Sequence, residues 1–400
     1  MKNALLFIKS SANLFETESV KQVLFALNSG GIVIDTIEIL SGTDDIGFVR
    51  RFEDLRNTKD NLIIVASEDI GFNLKEYVAE KMESELVENE RALELIKQYC
   101  SDEGQASKMS IFPQDATVIP NLKGAEQGFM MEDNEFSLCV LPSSIEQVVD
   151  MCNGYVVPYF ETKYNLSPKK ITLKYFGNSE VVHTLLDSLK KEYTGSVHLS
   201  INTVYKDTTI NLVFERSEDS RLIDEFVRKV VEGLKDGLYA QTNVTLSECL
   251  FELLKIRKLK LSVAESFTGG RIVSEMIKNS GVSEYLDEGI VSYSNHSKVN
   301  RLGVSEQDLR QVGAVSSKVA YQMAAGLLSA KNCDVAIATT GIAGPKSDDT
   351  NKPVGLCYIA VGSSQGVHVY KYVLNGSREE ITETAKNTAL FLAIKNIKNK

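Results

Sequence analysis

Three short stretches of the sequence bring together residue types that could perform acyl transfer. In "ESFTGG", Glu265, Ser266 and Thr268 stand with Gly269 and Gly270 where the apolar run "KLSVAE" hands over to the helix-forming "RIVSEM". "YSNHSK" supplies Tyr293, Asn295 and Lys298, "TTGIAGP" supplies Thr340, Gly341 and Gly344, and Arg378 lies at the start of the last helical pattern. A serine hydroxyl is a useful nucleophile only when a neighbouring base takes its proton, and a lysine can be that base only if its ammonium is desolvated or crowded by other donors. A free lysine titrates near about 10.4, so bringing it to about 7–8 requires roughly 3–5 kcal/mol of differential destabilisation. Burial in a cleft beside Tyr293 is the expected source. The two glycines let backbone approach backbone or ligand, and the N–H groups of the following helix, pointing back at Ser266, would stabilise a phosphate or an oxyanion.

Each stretch also has a plainer reading. Ser and Thr are favoured helix N-caps without any function, a lysine just past a strand is ordinarily a surface charge, and Gly- and Pro-rich loops ordinarily just turn. What favours a site is that all three stretches follow strands of one α/β pattern, whose carboxyl ends are where ligands gather in open sheets.

That pattern begins at Thr245, where "TLSE" matches a capping box. It runs helix 246–258, strand "KLSVAE", helix 270–279, strand "EGIVSYS", a short helix from Asn295, a helix opening at Ser305 and a helix across 317–331. Strand "DVAIATT", a Gly-rich loop and strands "GLCYIAVG" and "VHVYKYVL" follow. A final helix opened by Ser377 carries one apolar stripe, Ile381, Ala385, Ala389, Leu392 and Ile397.

Upstream, to about residue 163, strand-like "ALLFI", "GIVIDTIEI" and "NLIIVAS" alternate with helix-like "TESVKQVLFALN" and "DDIGFVRRFEDLRN". This alternation argues a parallel sheet flanked by helices. "GFMMED" and "FSLCVLP", separated by Asn134 and Glu135, read as a hairpin, and "SIEQVVDMC" as a helix. Residues 165–240 read strand, helix, strand, strand, helix, a small unit suited to spacing or dimer contact.

The 400 residues, 43% hydrophobic and 24% charged, fit two or three globular domains. No apolar run approaches a membrane span, and the apolar start "ALLFI" is short and soon followed by charge, so it reads as a buried first strand of a cytoplasmic protein. A net charge of −10 without a basic stripe argues against nucleic-acid binding. The six cysteines, Cys100, Cys139, Cys152, Cys249, Cys333 and Cys357, form no C-x-x-C pair and read as buried free thiols. His183, His198, His296 and His368 lack metal-ligand spacing, so chemistry without a metal is the expectation.

At "AESFTGG", "YSNHSK", "GAVS", "TTGIAGP", "KPVG" and "NGSREEI" the third segment resembles the C-terminal domain of the CinA family, competence/damage-inducible proteins whose single-domain relatives are nicotinamide-nucleotide amidohydrolases. The likeness covers 245–400. It departs at Phe267, where the family motif usually has Cys, at His296-Ser297, where it has Glu-Ala, and at the loop "PKSDDTN", which is less Gly-rich. The resemblance implies an α/β chain of three domains: a molybdopterin-binding-like α/β domain (1–163), a small KH-like α+β connector (164–241) and the amidohydrolase domain (242–400). It makes Ser266 the nucleophile, Lys298 with Tyr293 the activating pair, and the turn at Thr268 and Gly269 the oxyanion donors. Thr340, Gly341 and Gly344 would line the nucleotide pocket with Arg378 near the phosphate, and Glu265, Gly270 and Asn295 complete the substrate-binding set.

The implied reaction is metal-independent hydrolysis of nicotinamide mononucleotide, or a related pyridine nucleotide, to the nicotinic acid mononucleotide and ammonia. No cofactor is needed, and a cytoplasmic homodimer is implied. A non-catalytic nucleotide-binding scaffold is the alternative. In the first domain, "KSSANLFET", "ASEDIGFNLKE" and "LPSSIEQ" stand where the family has the glycines and acids expected to hold a pyrophosphate and its cation. Loss of ADP-ribose pyrophosphatase activity is the expectation, with retention the alternative; a divalent cation or K+ would matter only if that domain were active.

Overall fold

The computed structural model describes residues 1–9, 17–66, 70–134, 136–166, 168–215, 218–330, 332–347 and 352–398. The chain divides into two compact units, one of residues 1–171, 193–202 and 211–225, the other of 172–192, 203–210 and 226–400. The stretch 164–241 is distributed between them.

The first unit holds β1 (Asn3–Lys9), β2 (Thr36–Ser41), β3 (Asn61–Ala66), β4 (Leu86–Glu88), β5 (Ile111–Pro113), β6 (Thr117–Ile119), β7 (Gly128–Asp133) and β8 (Phe136–Pro142). Six of these form a sheet in the order β2-β1-β3-β8-β7-β6, parallel from β2 to β8 and antiparallel beyond. β3 is buried at every position, as a continuous apolar strand covered on both faces must be. The expected hairpin is β7–β8, with Asp133 opposite Phe136; Glu135 lies outside the described residues. "GIVIDTIEI" becomes a strand only from Thr36, because the N–H groups of Gly30, Gly31 and Ile32 close the preceding helix on the carbonyls of Leu27 and Asn28. Of the loops expected to have lost phosphate ligands, 10–16 and 67–69 lie outside the described residues.

Strands β9 (Lys169–Phe176), β10 (Val197–Val204) and β11 (Asp207–Phe214) alternate with helices Ser179–Glu192 and Ser220–Leu234 in the expected order. A further strand, β12 (Leu238–Ala240), pairs antiparallel with β9, giving the order β10-β11-β9-β12.

The C-terminal sheet contains β13 (Leu261–Glu265), β14 (Leu286–Val291), β15 (Val335–Gly341), β16 (Leu356–Ser363) and β17 (Gly366–Val373) in the order β14-β13-β15-β16-β17. Alternation along the strands sorts side chains by size. Val263, Ile337, Ile359 and Val361 pack with helices Leu246–Arg257 and Arg378–Lys398. Ala264, Ala336, Ala338 and Ala360 face Ser317–Ser329, and their small side chains let that helix lie close. Arg378–Lys398 is buried at every position from Thr388 to Ile394 rather than along one stripe, since Leu246–Arg257 and Arg271–Met276 cover its other side.

Among the described residues no helix is long and apolar enough to cross a membrane. All six cysteines are free thiols; Cys139, Cys152 and Cys357 are buried as expected, whereas Cys100, Cys249 and Cys333 are only partly so.

Candidate active site

β13 and β14 run parallel, with Glu265 beside Val291, so Ser266 and the Ser292–Tyr293 pair leave the sheet side by side. The Ser292 N–H donates to the Glu265 carbonyl at 2.8 Å. Helix Asn295–Leu302 then starts at Ser294, whose hydroxyl accepts from the Ser297 N–H at 3.1 Å, and ends at Gly303, with the Val304 N–H returned to the Lys298 carbonyl at 3.2 Å. Gly326 on the neighbouring helix permits the approach, because a Cβ there would lie 2.1 Å from the Leu302 carbonyl.

This packing buries Lys298 to 1% exposure and aims its ammonium back at the strand ends. Nζ donates to Ser266 Oγ at 3.1 Å, to the Ser292 carbonyl at 2.6 Å and to the Tyr293 carbonyl at 3.2 Å. These partners are three neutral oxygens. With no carboxylate among the described residues holding the charge, burial lowers the lysine to about 8. Tyr293 does not supply that burial: it is 67% exposed, and only its backbone carbonyl meets the amine. The desolvation comes instead from the packed helix and strand ends.

At Ser266 the chain turns through Gly269 and Gly270 at φ of 61° and 94°, a left-handed pair that side chains with a Cβ adopt at a cost. The helix N–H groups do not point at Ser266. Gly270 and Ile272 donate to Glu265 Oε2 at 3.0 and 3.2 Å, and Val273 donates to Oε1 at 3.1 Å. Glu265 is fully buried, so it and Gly270 serve the fold of the turn rather than a substrate. Of the two expected oxyanion donors, Gly269 uses its N–H to close the turn on the Ser266 carbonyl at 3.2 Å. The N–H groups of Phe267 and Thr268 meet no protein acceptor among the described residues.

The remaining nominated residues separate. The Thr340 hydroxyl donates to the Ala314 carbonyl at 2.8 Å, anchoring that loop instead of standing free for a ligand. Gly341 is a packing glycine: a Cβ would lie 2.6 Å from that of Cys357 and 3.0 Å from the ring of Phe267. Arg378 donates one guanidinium nitrogen to the Gly344 carbonyl at 2.6 Å, and its residue is otherwise exposed. Asn295 is exposed on the first turn of its helix. In the acidic loop, residues 348–351 lie outside the described residues, while Lys352 Nζ holds the carbonyls of Val312 and Val315, each at 2.8 Å.

Two participants were not nominated. Thr339, fully buried, shares a hydrogen bond of 2.8 Å between its hydroxyl and that of Thr268, and its oxygen lies 3.5 Å from the Ser266 N–H. Strand alternation puts Thr339 and Thr340 on opposite faces, so one of the two had to face the turn. Ser292 contributes a carbonyl, for which residue type gives no signal.

The CinA C-terminal domain family matches residues 243–397. A competence-damage inducible protein of Caldicellulosiruptor saccharolyticus is 35% identical over 344 residues, 81% of either chain. One from Clostridium beijerinckii is 31% identical over 361 residues, 87% of this chain and 88% of that one. Among solved structures, a competence/damage inducible protein from Agrobacterium tumefaciens shares 36% identity across 38% of this chain and 92% of its own, with a TM-score of 0.36.

Proposed function

This chain belongs to the CinA family of competence-damage inducible proteins, and from that premise we propose that its C-terminal site hydrolyses the carboxamide of nicotinamide mononucleotide. The single observation supporting this most directly is the 3.1 Å contact between Ser266 Oγ and a buried lysine amine whose partners are all neutral.

In the proposed reaction, neutral Lys298 takes the Ser266 proton as Oγ attacks the carboxamide carbon. The resulting oxyanion is met by the N–H groups of Phe267 and Thr268, each such donor typically worth about 3–4 kcal/mol of barrier. Lys298 returns the proton to the amide nitrogen, the C–N bond breaks and ammonia leaves an acyl-enzyme. Water, deprotonated by the same amine, attacks the ester and frees the carboxylate with Ser266 restored. Lysine thus acts twice, and neither step draws on a metal or cofactor. Arg378, with nitrogens to spare beyond its bond to Gly344, is the proposed phosphate contact. A cytoplasmic homodimer without pyrophosphatase activity in its first unit completes the proposal.

The test is an ammonia assay on the full chain with nicotinamide mononucleotide, nicotinamide riboside and nicotinamide. Turnover is expected for the mononucleotide. Binding of the nucleotide without ammonia release would replace this reading with that of a non-catalytic binding protein.

A further inference from the structure

Glu265 joins both halves of the serine–lysine pair. Its backbone carbonyl accepts the Ser292 N–H at 2.8 Å, and the carbonyl of that same Ser292 accepts Lys298 Nζ at 2.6 Å. Its side chain gathers the N–H groups of Gly270, Ile272 and Val273 at 3.0, 3.2 and 3.1 Å, fixing the far end of the turn whose first residue is Ser266. The nearby cation Arg271 is engaged elsewhere, its Nε donating to Glu383 at 3.0 Å. A fully buried carboxylate held by three backbone donors is a strong constraint, because charge-assisted bonds at a helix N-terminus are short-range and directional.

We infer that Glu265 is a positioning residue: it occupies the helix N-terminus so that no substrate anion can, and it holds Ser266 Oγ in line with Lys298 Nζ. This rests on the amidohydrolase reading, since it assigns Ser266 as the nucleophile. A displacement of about 1 Å at a reacting centre can remove about 100-fold in rate. Replacing the carboxylate with an amide puts an NH2 group against backbone N–H donors, and the turn must shift.

The experiment uses the full chain with Glu265→Gln and Glu265→Asp, both checked for cooperative thermal unfolding. Three quantities are read: kcat and KM for nicotinamide mononucleotide, labelling of Ser266 by a fluorophosphonate, and hydrogen exchange at the amides of Gly270, Ile272 and Val273. Glu265→Gln is expected to lower kcat and labelling by about 100-fold with KM changed less than about threefold, and to speed exchange at the three amides. Glu265→Asp keeps the charge on a shorter arm and is expected to lose about tenfold; it carries the test if the amide variant does not fold. Labelling within threefold of wild type in either folded variant overturns the inference, as does a loss confined to KM. A wild-type chain that labels at Ser266 but releases no ammonia defeats the amidase reading, while the labelling and exchange comparison still decides the role of Glu265.

Discussion

Ser137 and Ser266 each accept a hydrogen bond from a lysine, in different units of the chain, and the surroundings of the two lysines are opposite. Lys163 lies 2.7 Å from Glu132, whose carboxylate also accepts from the Tyr159 hydroxyl, and that hydroxyl is 3.2 Å from Ser137 Oγ. Burial pulls the Lys163 amine down, but the hydrogen bond to Glu132, the Tyr159 hydroxyl and the charge of Glu132 together outweigh it, and the net shift is upward. Lys298 has burial without a carboxylate and falls to about 8. The backbone differs as well: Ser137 lies inside β8, its N–H spent on the Asp60 carbonyl, whereas Ser266 sits in a turn beside unused donors. Serine, lysine and tyrosine in proximity therefore do not by themselves give a lysine of lowered pKa. Among the described residues, the lack of a counter-charge and the presence of an unused backbone donor are what set Ser266 and Lys298 apart, and the proposed reaction rests on that difference.

The largest expected effect tests that separation directly. Ser266→Ala should lower ammonia release from nicotinamide mononucleotide by about 10⁴-fold or more, as nucleophile deletions do when the acyl-enzyme route is lost. Ser137→Ala should leave turnover within about twofold, since its hydroxyl lies in the other unit and only ties Lys163 and Tyr159. Equal losses in the two variants would erase the distinction, and retained turnover in Ser266→Ala would exclude the acyl-enzyme route.

The next effect is on pH. A base must be neutral to accept the serine proton, so kcat/KM should rise with pH and reach half its plateau near the lowered Lys298 value of about 8. Below that point the rate should fall about tenfold per unit, reaching about 100-fold at pH 6. A half-point near about 10, where an ordinary lysine titrates, would place Lys298 with Lys163 instead of opposite it.

Stability should respond in the opposite sense at the two lysines. Because folding lowers the Lys298 value, the folded chain binds its proton less well than the unfolded chain does. Its burial penalty is therefore complete below about pH 8 and is relieved as pH rises through about 8 towards the free lysine value near 10.4. One pK unit is worth about 1.4 kcal/mol, so removing the amine could return about 3 kcal/mol at pH 7. The Ser292 carbonyl left without its donor offsets about 1 kcal/mol of this. Lys298→Met should then abolish turnover yet raise stability by about 2 kcal/mol in denaturant unfolding. Lys163 behaves in reverse: its raised value means stability present at neutral pH and lost only as pH climbs through that value. Lys163→Met should therefore lower stability, by about 1 kcal/mol or less for a partly exposed pair. Two destabilising lysine removals would contradict the contrast.

Legibility followed the same division between local and non-local information. Hydrophobic period and caps located nearly every element of the C-terminal unit, down to Thr245, Ser305 and the Ser294–Asn295 helix start, because those signals lie within a few residues of one another. The approach of Ser266 and Lys298 was also readable, since both follow parallel neighbouring strands. The partner of each polar group was not. Glu265 looked like a ligand residue because its three donors lie on the helix after it and become acceptor-seeking only once that helix exists. Thr340 was nominated over Thr339 because motif position does not say which face of β15 meets the turn. The stripe on the last helix is wider than its pattern for a related reason: Thr384, Thr388, Leu390, Phe391, Ala393 and Ile394 are buried as well, on a helix covered by two others that its own sequence does not announce.

Tyr293 gives the smallest effect and the finest test of how the reactive pair is assembled. Sequence motif paired its hydroxyl with Lys298, but the side chain is exposed and the amine is desolvated by other elements, so the hydroxyl has no part in lowering the lysine. Tyr293→Phe should change kcat less than about threefold and leave the pH half-point near about 8. The ring belongs to the residue whose own carbonyl accepts from Lys298 Nζ, beside a site proposed to take a heteroaromatic substrate. Stacking of a base on an aromatic ring is worth about 1–3 kcal/mol, so Tyr293→Ala should raise KM about tenfold with a smaller change in kcat. A Tyr293→Phe variant that moves the half-point of the kcat profile upward by about one unit, with that of kcat/KM unchanged, would show that the hydroxyl closes over Lys298 when substrate binds. The reactive pair would then be completed by its ligand rather than built in advance by the fold.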